Sequence, residues 1–224
     1  MARVVVTDKV KKKKRIRNIL LILAIIVLLA IISLVVYNVF FKEEPKTKVE
    51  IKILDSLDDY GYTLSDNDTE LFKTEYEAMK QNLNSDAYSE EEYAKSIAKL
   101  FVIDLYTMTN KVNKYDIGGL EYYYGDKKTM YETKVMDTLY SSLIDNTYGD
   151  RKQQLPEVKT IEVSSIEKTT YSLGKEKVEG YLVKLNWTYV QDLKYDDKGS
   201  IVLCKEGIRW SIVDYQPTLN PKYN

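Results

Sequence analysis

The chain has 224 residues, and its 33 lysine and arginine side chains nearly balance 34 aspartate and glutamate side chains, giving a net charge of −1. It contains no histidine and a single cysteine. These counts exclude Ser-His-Asp and Cys-His hydrolases, His-ligated metal sites, intramolecular disulfides and metal sites built from several cysteines.

Residues 1–41 have the pattern of a membrane anchor. Eight basic side chains and one acidic side chain lie in residues 1–17, and residues 18–41 carry no charge. As a helix, the apolar run from residue 19 to residue 41 would be roughly 35 Å long, enough to cross a hydrocarbon core of about 30 Å. The alternative is a cleaved signal peptide, but its apolar core is shorter, about 7–15 residues. We therefore predict a basic tail over 1–17 and a transmembrane helix over 18–41.

The basic cluster sets the expected orientation in the plasma membrane. It consists of Lys11, Lys12, Lys13, Lys14, Arg15 and Arg17. The positive-inside rule keeps this tail in the cytoplasm and places residues 42–224 outside the cell. The same side chains can bind anionic lipid headgroups, so the lipid bilayer is the first expected partner. No nucleic-acid partner is expected, since orientation in the membrane explains the cluster.

Residues 42–62 are predicted to form a stalk or first helix, because apolar residues recur there at helical spacing before a glycine. These residues are Val49, Ile53, Leu57 and Tyr60, followed by Gly61. Residues 63–224 then form an extracytoplasmic α+β domain. Within it, helices are predicted between residues 68 and 149.

Two helix starts and three apolar stripes support that prediction. Asp68 is a plausible N-cap, and Ser89 to Glu92 form a capping box. The first stripe is Phe72, Tyr76, Met79 and Leu83; the second is Tyr93, Ile97, Leu100, Phe101, Leu105 and Met108; the third is Tyr131, Val135, Leu139 and Leu143.

From residue 157 to residue 216 the apolar period changes to two, which is typical of strands. Between Val158 and Tyr171 the apolar positions shift by one residue, from Val163 to Ile166, which indicates a bulge. Short connections at 196–199 and 206–207 predict a four-stranded antiparallel sheet. The fold expected from this order is α+β, with the helices packed on one face of a curved sheet.

The closing run from Glu206 to Asp214 resembles the last hairpin of the nuclear-transport-factor-two-like superfamily, where a glycine turn precedes a Trp-x-Ile strand. The chain's plan is also similar to that of the scaffold subunit of type IV secretion systems and of Gram-positive conjugation machines. The resemblance implies a cone-shaped fold. It also implies other membrane or secretion-machine proteins, or a second copy of the chain, as partners.

The run Tyr122, Tyr123 and Tyr124 is the candidate partner surface, because three consecutive rings cannot all face one core and tyrosine is favoured at interfaces. The alternative is that this chain, with 20 tyrosines, uses tyrosine where others use phenylalanine. A second candidate set has strand spacing and is expected to line the core of the sheet, or a cavity on its concave face. That set is Tyr181, Val183, Leu185, Trp187 and Trp210.

No metal or cofactor is expected. The string from Asp66 to Glu70 imitates the start of a calcium loop but lacks its glycine. No nucleophile–base pair can be assembled, so we do not expect an enzyme. The leading hypothesis is a single-pass, membrane-anchored scaffold or assembly protein, such as a conjugation or secretion subunit. The alternative is a ligand-binding or cell-wall-associated module that uses the concave face of the sheet.

Overall fold

A computed structural model describes residues 2–40 and 47–218 of the chain. The chain divides into two compact units, Met1–Thr47 and Lys48–Asn224. The first contains one helix and the second has an α+β fold. In chain order the elements are α1 (Ala2–Phe40), β1 (Ile53–Leu57), β2 (Tyr62–Ser65), α2 (Glu70–Leu83), α3 (Glu90–Tyr106), α4 (Lys128–Asp137), β3 (Val158–Leu173), β4 (Glu176–Tyr189), β5 (Lys198–Glu206) and β6 (Arg209–Pro217).

Helix α1 is long and apolar enough to cross a membrane over the 26 residues from Lys12 to Tyr37. The side chains of residues 12–37 are exposed, as a lipid-facing surface requires. The basic residues belong to the same helix, because lysine and arginine are good helix formers and the run contains no glycine or proline. The side chain of Lys11 lies outside the described residues, as do residues 41–46.

The prediction of a stalk or first helix over residues 42–62 is wrong as to the helix for the part of the segment that the structure describes. Residues 47–52 belong to no helix or strand, and β1 and β2 form an antiparallel hairpin in which Leu57 pairs with Tyr62. Gly61, read as a helix stop, instead has φ +66° in the hairpin turn. Val49, Ile51 and Ile53 are β-branched and Tyr60 is aromatic, and side chains of both kinds favour strands. The helical spacing of these apolar residues therefore did not indicate a helix.

Helices α2 and α3 confirm their predicted stripes, except that Met108 is buried beyond the end of α3. Thr69, not Asp68, caps α2, since its hydroxyl accepts a hydrogen bond from the Phe72 amide at 3.3 Å. Ser89 caps α3 as predicted, with its Oγ accepting from the Glu92 amide at 3.2 Å. Helix α4 ends at Asp137, earlier than the predicted stripe requires. The buried Leu143 therefore lies in the turns beyond it.

The four later strands form the predicted antiparallel sheet in the order β3-β4-β5-β6. The register of β3 shifts between Val163 and Ser165, which confirms the predicted bulge. Helix α3 packs against β3, β4 and β6, and the core lies between this helix and the sheet. The sheet is not strongly curled, so the cone shape implied by the resemblance stays a prediction.

Candidate functional site

The tyrosine run does not form an exposed surface. Tyr122 has no exposed area, Tyr123 is 7% exposed and Tyr124 is half-buried. The backbone joins Tyr123 to Ile212 of β6 through an isolated parallel bridge, and this contact draws the run into the core. The Tyr123 ring stacks on the Tyr131 ring of α4, with centroids 3.9 Å apart. The prediction of a partner surface at these three residues is therefore wrong for two of them.

The second predicted set lies in the core. All of its members are buried: Tyr181, Val183, Leu185, Trp187 and Trp210. The two indole rings contact different aromatic partners, Tyr106 at 5.3 Å for Trp187 and Tyr181 at 4.9 Å for Trp210. Tyr106 lies on α3, whereas Tyr181 and Trp210 lie on β4 and β6, with β5 between them. Aromatic pairs at these centroid separations stabilise a core. Core packing accounts for this set.

A cavity of about 270 Å³ lies where the C-terminal end of α3, helix α4 and the C-terminal end of β6 meet. We call it the tyrosine pocket. Four tyrosine rings line it, together with aliphatic side chains, one lysine and one aspartate. The lining residues are Leu105, Tyr106, Tyr123, Tyr131, Lys134, Val135, Thr138, Leu139, Asp196, Tyr215 and Pro217.

The polar atoms of the tyrosine pocket form one short network. The hydroxyl of Tyr106 donates to Asp196 Oδ2 at 3.3 Å, and the hydroxyls of Tyr106 and Tyr215 are 2.9 Å apart. Because the Tyr106 proton points to the carboxylate, Tyr215 is the donor in the second bond. Burial raises the pKa of the Asp196 carboxyl, and the negative charge of Asp197 adds to this effect. No lysine or arginine among the described residues forms an ion pair with Asp196.

A smaller polar cavity of about 160 Å³ lies between the β1–β2 hairpin and the end of α3. Within it the ammonium of Lys111, 7% exposed, forms an ion pair with Asp104. Asp104 also accepts from the Gly119 amide at 2.6 Å. Glu121 accepts from the Thr63 hydroxyl at 3.1 Å, and burial raises the pKa of its carboxyl to about 7. These are the hydrogen-bonded partners that buried charges require.

The polar cavity does not make a calcium site from the Asp66–Glu70 string. The carboxylate of Asp68 accepts from the Ser65 amide at 2.7 Å and so closes a local turn. Among the described residues, no group of three or more acidic or cysteine side chains is placed to hold a metal ion. The polar cavity is therefore best explained as a structural network.

No protein-family model, curated protein sequence or solved structure matches this chain. The geometry of the two cavities is thus the basis for a functional assignment. Of the two, the tyrosine pocket has the character of a ligand site, because it combines an apolar lining with a few convergent polar groups. From the sequence, Tyr123 was a candidate for a partner surface and not for a pocket, and Tyr106, Asp196 and Tyr215 were not identified as site residues.

Proposed function

We propose that this chain is a single-pass, membrane-anchored binding protein whose outer domain holds a small chemical group in the tyrosine pocket. The observation that carries the proposal is the pocket itself, about 270 Å³ with four tyrosine rings and a carboxylate among its lining residues. Such a site binds without needing a nucleophile or a base, so the proposed role is non-enzymatic. The group can belong to a free ligand, to the cell wall or to a partner protein.

The anchor and its orientation form the second part of the proposal. Helix α1 supplies a segment of sufficient length, and basic residues 12–17 precede its apolar part. The positive-inside rule then favours a cytoplasmic N-terminus, with the outer domain on the outer face of the plasma membrane. Lys12 to Lys14 are also in position to bind anionic headgroups.

A scaffold or assembly subunit of a conjugation or secretion machine is the second candidate. The last hairpin favours it: Gly207 has φ +63° in the turn, and Trp210 and Ile212 are buried on the strand that follows. This is the arrangement expected from the resemblance to the nuclear-transport-factor-two-like fold. The burial of Tyr122 and Tyr123 removes the surface on which the scaffold hypothesis relied, so we rank it second.

A thermal-shift experiment on the full chain in detergent tests the proposed pocket. The probes are small solutes of different chemistry: n-butylammonium, N-acetylglucosamine, phenol and butyrate. A ligand at ten times its dissociation constant stabilises by about 1.4 kcal/mol, which raises Tm by roughly 3–6 °C for a domain of this size. We expect at least one probe class to do so.

Two matched variants show whether the effect arises in the tyrosine pocket. Thr138→Trp, at the residue that follows α4, places an indole at the pocket rim, and Thr133→Trp places one at an exposed position on α4 outside the lining. We expect Thr138→Trp to abolish the shift and Thr133→Trp to retain it. If no probe stabilises the wild-type chain, or if both variants respond equally, the pocket is not a binding site.

A further inference from the structure

We infer that the tyrosine pocket selects an alkylammonium group, such as a lysine side chain or a small free amine, with Asp196 as its anionic partner. This inference rests on the proposed function and specifies the chemistry of the ligand. The evidence is the composition of the pocket and the geometry of its polar atoms.

Asp196 forms no ion pair with a lysine or arginine among the described residues. Lys134 also lines the pocket, but it is exposed and makes no ion pair with Asp196. Asp196 is half-buried, and its contact in the network is the Tyr106 hydroxyl at 3.3 Å. Partly buried carboxylates are costly unless they are paired, and burial correspondingly raises the pKa of this carboxyl. A cationic ligand would offset that cost, whereas an anionic one would add to it.

The tyrosine rings favour the same class of ligand. Aromatic rings attract ammonium groups through their quadrupole. The Tyr215 hydroxyl donates to Tyr106, so its oxygen lone pairs are free to accept from an ammonium. Val135 and Leu139 supply the aliphatic wall against which an alkyl stem can pack.

The size of the pocket is sufficient for a small group of this kind. A volume of about 270 Å³ corresponds to about nine water molecules at ~30 Å³ each. That space holds one alkylammonium chain and not a folded peptide segment. Lys134 lies on the rim and is exposed, so solvent and salt screen its repulsion.

The test measures the affinity of the full chain for n-butylammonium by titration calorimetry in detergent. Lys222 follows Pro217 by five residues in the sequence, so every protein tested carries Lys222→Ala to remove a competing amine. Asp196→Asn keeps an oxygen that can accept from Tyr106 but removes the charge. Asp197→Asn is the control, because it removes a carboxylate charge from the neighbouring residue, which does not line the pocket.

We expect Asp196→Asn to weaken n-butylammonium binding at least tenfold and Asp197→Asn to change it less than threefold. An unchanged melting temperature of Asp196→Asn shows that the fold is intact. If Asp196→Asn unfolds, the protein that retains Asp196 is titrated instead with the neutral probe n-butanol. Binding of n-butanol at least tenfold weaker than that of n-butylammonium then supports the inference. Comparable affinities for n-butylammonium, n-butanol and butyrate, or equal effects of the two variants, would overturn it. Binding of a neutral or anionic probe alone overturns the amine assignment but leaves the proposed binding function standing.

The source of the amine is read from a second pair of probes. N-acetyl-lysine amide presents the ammonium as a side chain of a peptide, and n-butylammonium presents it free. Tighter binding of the lysine derivative identifies a partner protein as the source, and tighter binding of the free amine identifies a small ligand. Either result supports selection of an alkylammonium group, provided that Asp196→Asn weakens it.

Discussion

The partly buried carboxyl of Glu121 gives the outer domain a distinctive pH dependence, which Glu121→Gln should remove. Burial is the main cause that raises the pKa of this carboxyl from 4.5 to about 7, and the negative charge of Asp104 adds to it. The native state therefore holds a proton between pH 4.5 and pH 7 that the unfolded chain releases. Because the native state binds more protons in this window, its stability falls as pH rises through it.

The size of the effect follows from the same two pKa values. A rise from 4.5 to about 7 corresponds to roughly 3 kcal/mol at 1.36 kcal/mol per pKa unit, and this is an upper bound because Glu121 is only half-buried. The loss is complete above pH 7, where Glu121 is ionised in both states. A neutral glutamine at this position does not titrate, so Glu121→Gln should not show this loss of stability.

Urea unfolding of the full chain in detergent, at pH 5 and at pH 8, measures this difference. Trp187 and Trp210 are the two tryptophans of the chain and both lie in the sheet, so their fluorescence reports on the outer domain. We expect the wild type to lose about 1–2.5 kcal/mol more than Glu121→Gln between the two pH values. The control is Glu132→Gln, at an exposed position on α4, which should behave as wild type. Equal losses in the wild type and Glu121→Gln would refute the reasoning.

Two further predictions concern the sheet and the anchor. Trp210 is 5% exposed and packs edge-on against Tyr181, so Trp210→Ala should destabilise the domain by about 3–5 kcal/mol in urea unfolding. A loss below about 1 kcal/mol would show that the ring is not part of the core. Protease added to intact cells should digest the domain beyond residue 47 and leave residues 1–17 protected. Labelling of the N-terminus from outside the cell would contradict the proposed orientation.

Local signals in the sequence were sufficient for much of the fold. The capping box at Ser89 and the apolar stripes of α2 and α3 specify helices through nearest-turn contacts. The strand alternation around Trp187 specifies which face is buried, and the one-residue shift near Ser165 specifies the bulge. The secondary structure of residues 47–62 could not be predicted from local signals, because their apolar positions fit both the helical and the strand period. There two hydrogen bonds between distant residues hold the chain in the observed conformation. The Asp66 amide donates to the Lys52 carbonyl at 2.9 Å, and the Lys52 amide donates to Asp66 Oδ1 at 3.0 Å.

The candidate site could not be read from the sequence, because its polar atoms come from distant segments. Tyr106 and Asp196 are 90 positions apart, and Tyr106 and Tyr215 are 109 positions apart. No short motif encodes such a meeting, and a single sequence carries no signal that links the three positions. The run Tyr122–Tyr124 could be recognised in the sequence because its three residues are contiguous. Its burial depends on the bridge to Ile212, another contact that only the folded chain displays.

The hydrogen bonds of the buried tyrosines bear on the proposed site. A buried tyrosine hydroxyl costs free energy unless it has a hydrogen-bond partner, and most of the buried tyrosines among the described residues have one, although Tyr76 does not. The hydroxyls of Tyr62 and Tyr93, 2.9 Å apart, partner each other in the fully buried core, which is a purely structural solution. The pair of Tyr106 and Tyr215 has the same separation but ends on the carboxylate of Asp196, beside a cavity. In both pairs the second hydroxyl proton needs an acceptor: for Tyr62 it is the Trp210 carbonyl at 3.5 Å, and for Tyr106 it is the Asp196 carboxylate at 3.3 Å. A neutral acceptor would satisfy Tyr106 without the free energy that desolvating a charge costs. The proposed binding of a cationic group accounts for the use of a charge at this position.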